Sequence, residues 1–296
     1  LVPILNRRQK IRSRHRVLIT GGGGQVGIEL TERLDEVSTF PMGRSSLDVT
    51  SGVAMDRAMD EIKPDVVIHA AALTDPEACE RDRALAQRVN VVGAWNVARA
   101  VARVGAEMVL LSTSYVFGGA KIGPYLEYDD DSPVNAYGVS KLGGERAARQ
   151  VLERLYIVRS GWVYSRWNRG FVMRLLTQED DRLPARYVGD QVANPTFAGD
   201  LAAGILLLVE TKAYGVHHLV NEGASSWYGW AEAVLRMAGR SDVPLDEISA
   251  DQYEREARIP ANSELANEMA RTVGVTLRPW GDALEEFVSD WMKDRG

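Results

Sequence analysis

Thr20-Gly21-Gly22-Gly23-Gly24-Gln25-Val26-Gly27 constrains this chain more than any other stretch. It follows the apolar run Val17-Leu18-Ile19 and opens into Ile28-Glu29-Leu30-Thr31-Glu32-Arg33-Leu34, an order that reads as strand, glycine turn and helix. Gly21, Gly24 and Gly27 have the G-x-x-G-x-x-G spacing of a dinucleotide-binding loop. Glycines there allow a tight turn, let the backbone approach a pyrophosphate and let the helix lie close on the sheet. The helix N-terminus adds free N–H groups and a partial positive charge for phosphates. A glycine turn that only joins strand to helix has the same composition. The flanking strand and helix favour the nucleotide reading.

The rest of the first half repeats the strand–helix alternation. Strands are expected at Val17–Thr20, Val37–Met42, Val66–Ala70, Glu107–Ser112 and Leu155–Arg159. Helices are expected at Val26–Leu34, Gly52–Ile62, Ala84–Val104 and Ala136–Leu152. Such βαβ units predict a parallel sheet with both faces covered, in an α/β, doubly wound architecture. The pattern frays at 163–196, returns as helix then strand over 197–222, and ends in helices and loops with no second glycine fingerprint. The expected organisation is a basic N-terminal arm over 1–15, a nucleotide domain over 16–162 and 197–222, and a smaller interleaved C-terminal substrate lobe over 163–196 and 223–296. In open α/β sheets ligands sit beyond the carboxyl ends of the strands, so the chemistry belongs there.

Composition excludes several function classes. A formal net charge of −6 argues against nucleic acid as a partner, although Arg7, Arg8, Lys10, Arg12, Arg14 and Arg16 concentrate base in the arm. That arm reads as a disordered leader and lacks the apolar core of a secretory signal. The apolar run Leu201 to Val209 is too short to cross a bilayer, so no membrane partner is expected. One cysteine, Cys79, cannot form an intrachain disulfide or a cysteine-built zinc site, and a reducing cytoplasmic setting is expected. No metal-ligand cluster stands out; Glu285 and Glu286 read as a solvated helix face.

Two further signals carry chemistry. In Tyr137-Gly138-Val139-Ser140-Lys141 a helix puts tyrosine and lysine one turn apart on one face. A free phenol titrates near pH 10, and a neighbouring ammonium lowers that value toward useful acid–base work. The same lysine can hydrogen-bond a ribose. Tyr-x-x-x-Lys is also common on ordinary helix surfaces. Strand four ends Leu110-Leu111-Ser112-Thr113-Ser114-Tyr115-Val116-Phe117, and a strand-end hydroxyl, Thr113 above all, can hydrogen-bond a substrate carbonyl. Such hydroxyls also cap turn backbone. Glycine loop, strand-end hydroxyl and Tyr-x-x-x-Lys in this order are far more specific together.

With these motifs the chain resembles the extended short-chain dehydrogenase/reductases, with a Rossmann nucleotide domain, and within them the dTDP-4-dehydrorhamnose reductase family. The resemblance also runs through His69-Ala70-Ala71-Ala72-Leu73-Thr74, Ser132 to Glu145, Arg159-Ser160-Gly161-Trp162-Val163-Tyr164, Asp190-Gln191-Val192-Ala193-Asn194-Pro195-Thr196 and Pro260-Ala261-Asn262-Ser263. It implies reduction of the C4 ketone of a dTDP-4-keto-6-deoxyhexose. Tyr137 is then the proton donor, Lys141 its electrostatic partner, and Thr113 the hydroxyl that aligns the carbonyl. It further implies Gly24, Gln25 and Val26 at the pyrophosphate and Asp48 and Val49 at the adenine. Ala71, Ala72, Leu73, Thr74 and Leu111 line the nicotinamide side, with Asn90 beside the active site. Thr74, Thr113, Ser114, Tyr115 and Trp162 face the substrate. A local backbone cap competes for Asn90, and a structural core tryptophan for Trp162.

Ser114 departs from the family pattern, which has aspartate there, and leaves the sugar open. Dehydratases of the superfamily need an Asp-Glu pair at that point, which Ser114-Tyr115 cannot supply. Strand two ends Met42-Gly43-Arg44-Ser45 without the carboxylate that would bind a ribose 2′-hydroxyl. Arg44 and Ser45 suit a 2′-phosphate, so NADPH is expected ahead of NADH. A ketoreductase for a related deoxysugar and a non-catalytic subunit of the methionine adenosyltransferase type remain as competing functions, and whether the chain forms a homodimer stays open.

Overall fold

The computed structural model describes residues 15–167, 170–177 and 185–294. Arg7, Arg8, Lys10, Arg12 and Arg14 of the basic arm lie outside the described residues. Arg16 is described. It donates from its backbone to Asp65 Oδ2 at 2.8 Å and from its guanidinium to Ile62 O at 2.7 Å, tying the chain to the first strand's neighbour.

Six parallel strands form the central sheet: β1 (Val17–Thr20), β2 (Thr39–Met42), β3 (Val66–His69), β4 (Glu107–Thr113), β5 (Leu155–Ser160) and β6 (Gly215–His218). Their spatial order is β6-β5-β4-β3-β1-β2. The order reverses between β1 and β3, and the crevice for a ligand opens at the carboxyl ends on either side of that point.

Alternation along the strands explains the continuous apolar runs. Val17, Ile19, Ile68, Val109 and Val158 pack on one face with α1 (Gln25–Arg33) and the long helix Ala198–Thr211. Leu18, Val67, Met108, Leu110 and Ile157, one residue out of phase, pack on the other face with α2 (Gly52–Ile62) and α3 (Gly93–Val104). α4 (Ala136–Arg149) follows β4, and its first turn is held by Asn135, whose Oδ1 accepts from Gly138 N at 2.8 Å.

Several expected elements differ. β2 begins at Thr39, because Asp35 folds the preceding residues into a turn, accepting from Thr39 Oγ1 at 2.6 Å, and Val37 stays exposed. The single helix expected over Ala84–Val104 is Arg83–Gln87, one π-helical turn at Arg88–Val92, and α3. The C-terminal part, expected as helices and loops, also holds the strand Leu245–Ile248, which pairs in parallel with Ala185–Val188. That region has its own core, with Tyr164, Leu175, Phe197, Trp230, Leu284 and Phe287. Ala270, Val275 and Leu277, assigned from sequence to the C-terminal lobe, pack instead on the first face of the sheet.

Candidate active site

The glycine turn is built as its spacing requires. Gly21 has φ 72°, and a Cβ there would fall 2.6 Å from Ala71 N; at Gly27 one would fall 2.4 Å from Gly21 O. Gly22 meets a second constraint that the motif did not reveal, since its Cβ would lie 2.7 Å from that of Pro41 on β2. Gly24 precedes α1 and offers no side chain to cap it, so the helix presents backbone N–H groups to an anion. The side chain of Gln25 turns away to accept from Ser165 Oγ at 3.0 Å, which leaves its backbone for phosphate.

A cavity of about 1350 Å³ opens beyond the carboxyl ends of the strands. It exceeds the roughly 300–1,000 Å³ usual for one small-molecule site and suits a dinucleotide together with a second ligand. Every residue expected from sequence at the cofactor or the substrate lines it, except Ser45 and Asn90. The glycine cradle, the uncapped helix and this volume fit a nicotinamide dinucleotide.

Thr113, Tyr137 and Lys141 meet on the wall of the same cavity. Lys141 is buried and donates to Leu111 O at 2.6 Å, bracing α4 against the end of β4. Burial draws its ammonium down to about 8, opposed by the negative charge of Glu145 one turn further on. Glu145, itself buried, is held by Arg159 at 3.0 and 2.7 Å and by Ser112 Oγ. Burial pushes the Tyr137 phenol above its ordinary value, and the Thr113 hydroxyl pulls the other way. Burial, with the charges of Tyr115 and Cys79 acting the same way, outweighs the Thr113 hydrogen bond and keeps the phenol protonated, the form a proton donor needs.

Asn90 stands one layer behind the wall. Its Oδ1 accepts from Leu73 N at 2.8 Å, and its Nδ2 donates to Leu73 O at 3.0 Å and to Ser140 Oγ at 2.8 Å. It therefore fixes the loop 71–74 after β3 to the catalytic helix. The direct cofactor contact expected of it gives way to this brace, because the π-helical turn rotates residue 90 inward. The same turn brings Arg88 to the cavity near Arg44, where both lower the Asp48 carboxyl after the hydrogen bonds from Thr50. No sequence signal marked Arg88, because a regular helix would have given the neighbouring positions different facings.

The other end of the cavity is aromatic. Trp162 adopts φ 40°, a conformation that aromatic residues rarely take, and stacks on Trp227 at 3.8 Å between centroids with 23° between planes. Tyr115 meets Tyr137 edge-on at 6.0 Å. The buried hydroxyls of Ser114 and Ser160 and the indole N–H of Trp227 have no hydrogen-bond partner among the described residues, and all three residues line the cavity. Trp227, Ser160, Tyr253 and Arg255 were missed from sequence. Trp227 alone carried a hint, in the aromatic cluster Trp227-Tyr228-Gly229-Trp230.

The family model described as RmlD substrate binding domain matches residues 15–292. The chain belongs to that family. RmlD-family relatives extend the likeness along almost the whole length. The dTDP-4-dehydrorhamnose reductase of Streptomyces griseus is 36% identical over 92% of this chain and 93% of its own. The spore coat polysaccharide biosynthesis protein SpsK of Bacillus subtilis is 31% identical over 93% and 97%. The crystal structure of dTDP-4-dehydrorhamnose reductase from Bacillus anthracis in complex with NADP superposes with TM-score 0.90 at 33% identity, covering 94% of this chain and all of that one. Among the described residues no helix is long and apolar enough to cross a membrane, and no group of three acidic, histidine or cysteine residues is placed to hold a metal ion. Glu286, read from sequence as part of a solvated face, is paired with Arg278, which also grips Asp200.

Proposed function

We propose that this RmlD-family chain reduces the C4 ketone of dTDP-4-dehydro-6-deoxy-L-mannose to give dTDP-L-rhamnose, with NADPH preferred to NADH. One observation carries the reading: Thr113, Tyr137 and Lys141 share a cavity with the glycine cradle. Bound NADPH supplies the hydride. Tyr137, kept protonated by burial, gives its phenolic proton to the C4 oxygen. The Thr113 hydroxyl orients that oxygen, and Lys141, fixed on Leu111 O, holds positive charge beside the ribose and the reacting pair. Gly24, Gln25 and Val26 take the pyrophosphate on the backbone of α1, Val49 and Asp48 the adenosine end, and Arg44 the 2′-phosphate. Trp162 packs on the deoxysugar. The cofactor domain is 16–162 with 197–222 and the sheet-packed stretch 270–277, the rest of 163–196 and 223–296 forms the substrate lobe, and the reaction is cytoplasmic.

Ser114 favours one second reading, a ketoreductase acting on a related dTDP-4-keto-deoxysugar, because a neutral hydroxyl replaces the family's carboxylate. A panel of dTDP-4-keto sugars assayed at 340 nm with NADPH and NADH separates the two. With dTDP-4-dehydro-L-rhamnose the absorbance falls in the wild type, and Tyr137→Phe slows turnover about a hundredfold or more. Normal turnover in that variant, or none of this sugar by the wild type, defeats the assignment.

A further inference from the structure

We propose that Arg255, laid on the ring of Tyr253, is the subsite for the diphosphate of the sugar nucleotide. This rests on the sugar-nucleotide reading above. A nucleoside diphosphate sugar brings a second pyrophosphate into a cavity whose α1 terminus is taken by the cofactor's own. Among the described residues, four cations line that cavity: Arg44, Arg88, Lys141 and Arg255. Arg44 and Arg88 both act on Asp48, at the end of the cavity beyond β2. Lys141 is committed to Leu111 O. Arg255 remains.

Its position suits the task. Arg255 lines the same cavity as Tyr115 and Tyr137, whose rings meet edge-on; burial raises the Tyr115 phenol, and a hydrogen bond with Trp162 and then the charge of Arg255 oppose that. The guanidinium carbon sits 4.5 Å from the centroid of Tyr253, which also lines the cavity. Stacking on a ring face leaves the N–H edges of the fork open to bidentate phosphate oxygens.

The loop that carries Arg255 is fixed on both sides. Glu77 accepts from Glu256 N at 2.9 Å and from Ala257 N at 3.3 Å, so its carboxylate is occupied with backbone. Asn135, the residue that caps the catalytic helix, donates from Nδ2 to Arg258 O at 2.8 Å. A diphosphate seated on Arg255 is thereby registered against Tyr137, two residues into that helix. Glu254 is the opposing charge on the same rim.

The test is calorimetric titration of dTDP into protein saturated with NADPH, with NADPH affinity measured separately by its fluorescence. Loss of a charge-assisted contact predicts that Arg255→Gln weakens dTDP about tenfold or more, that Arg255→Lys, which keeps the charge and loses the fork, falls between wild type and the glutamine variant, and that NADPH binding is unchanged in both. Glu254→Gln leaves dTDP affinity equal or tighter. Equal dTDP affinity in wild type and Arg255→Gln overturns the subsite alone. An Arg255→Lys variant as weak as the glutamine variant, with NADPH also weakened, overturns it in favour of a structural role for the loop. A wild type that turns over no keto sugar and binds no dTDP overturns the sugar-nucleotide reading itself.

Discussion

The indole of Trp162 lies face to face with that of Trp227, 3.8 Å between centroids, although 65 positions of chain separate them. Trp162 holds φ 40° to make this stack, and Trp230 lies nearly parallel behind it, 5.8 Å away at 14°. Strained conformations persist only where surrounding packing over-determines them. Here the packing is a layer of tryptophans that forms one end of the cavity.

Removing the support should therefore disturb the substrate and spare the cofactor. An aromatic pair of this kind contributes about 0.5–1.5 kcal/mol beyond its buried area. Trp227→Ala is expected to raise KM for the keto sugar about fivefold to tenfold, with KM for NADPH unchanged. Steady-state kinetics with each substrate varied in turn checks it, and an equal change in both constants counts against the aromatic wall.

The alkaline limb of the pH–rate profile should report Lys141. Burial lowers its ammonium to about 8, and Glu145 opposes that shift. The ammonium is present below that pH and is lost as pH rises through it, so kcat/KM falls on the alkaline side with a midpoint near 8. Glu145→Gln removes the opposing charge and moves the midpoint to lower pH. A midpoint that stays put in that variant would show that another group titrates.

Acid stability should depend on His69. Its Nδ1 lies 2.6 Å from Thr20 Oγ1, joining the ends of β1 and β3, and burial pushes the ring down to about 3, with Lys141 adding to the effect. The folded ring stays neutral while the unfolded one takes up a proton below its ordinary value near 6.5. Stability is then full above that pH and falls as pH drops from about 6.5 toward 3, by about 1.4 kcal/mol per pH unit for this group. His218, also buried and also held at about 3, adds a parallel loss. Urea denaturation at several pH values should give a shallower acid slope for His69→Gln than for the wild type.

The glycine turn offers a matched pair. A Cβ at Gly27 meets Gly21 O at 2.4 Å, whereas at Gly23 nothing lies within 4 Å. Gly27→Ala is expected to cost about 1–3 kcal/mol of stability and to weaken NADPH, while Gly23→Ala keeps the wild-type melting temperature. Thermal melts and cofactor titration of the two variants decide it. Equal melting temperatures would mean that the loop relaxes freely.

Local chemistry was legible in the residues because it is written in short-range spacing. Three glycines set for a turn, an apolar strand before them and a tyrosine and lysine one helical turn apart announce their geometry within a few positions. Continuous apolar runs also placed the central strands, since β1, β3 and β5 are buried on both faces. The boundaries slipped where local bonds redirect the backbone, as at Asp35 before β2, whose carboxylate accepts from Val37 N and whose carbonyl accepts from Thr39 Oγ1. The π-helical turn at Arg88–Val92 leaves no periodic trace, and with it went the facing of Asn90 and the arrival of Arg88. Trp227, Ser160 and Arg255 come from segments that share no local pattern with the catalytic helix. Packing of the C-terminal region over the strand ends, and bonds such as Asn135 to Arg258 across 123 positions, bring them into the cavity. Short-range spacing thus carries the cofactor loop and the acid–base pair, while contacts made only on folding assemble the wall that meets the sugar nucleotide. Chain entropy makes those distant contacts depend on the whole fold rather than on any one stretch of it.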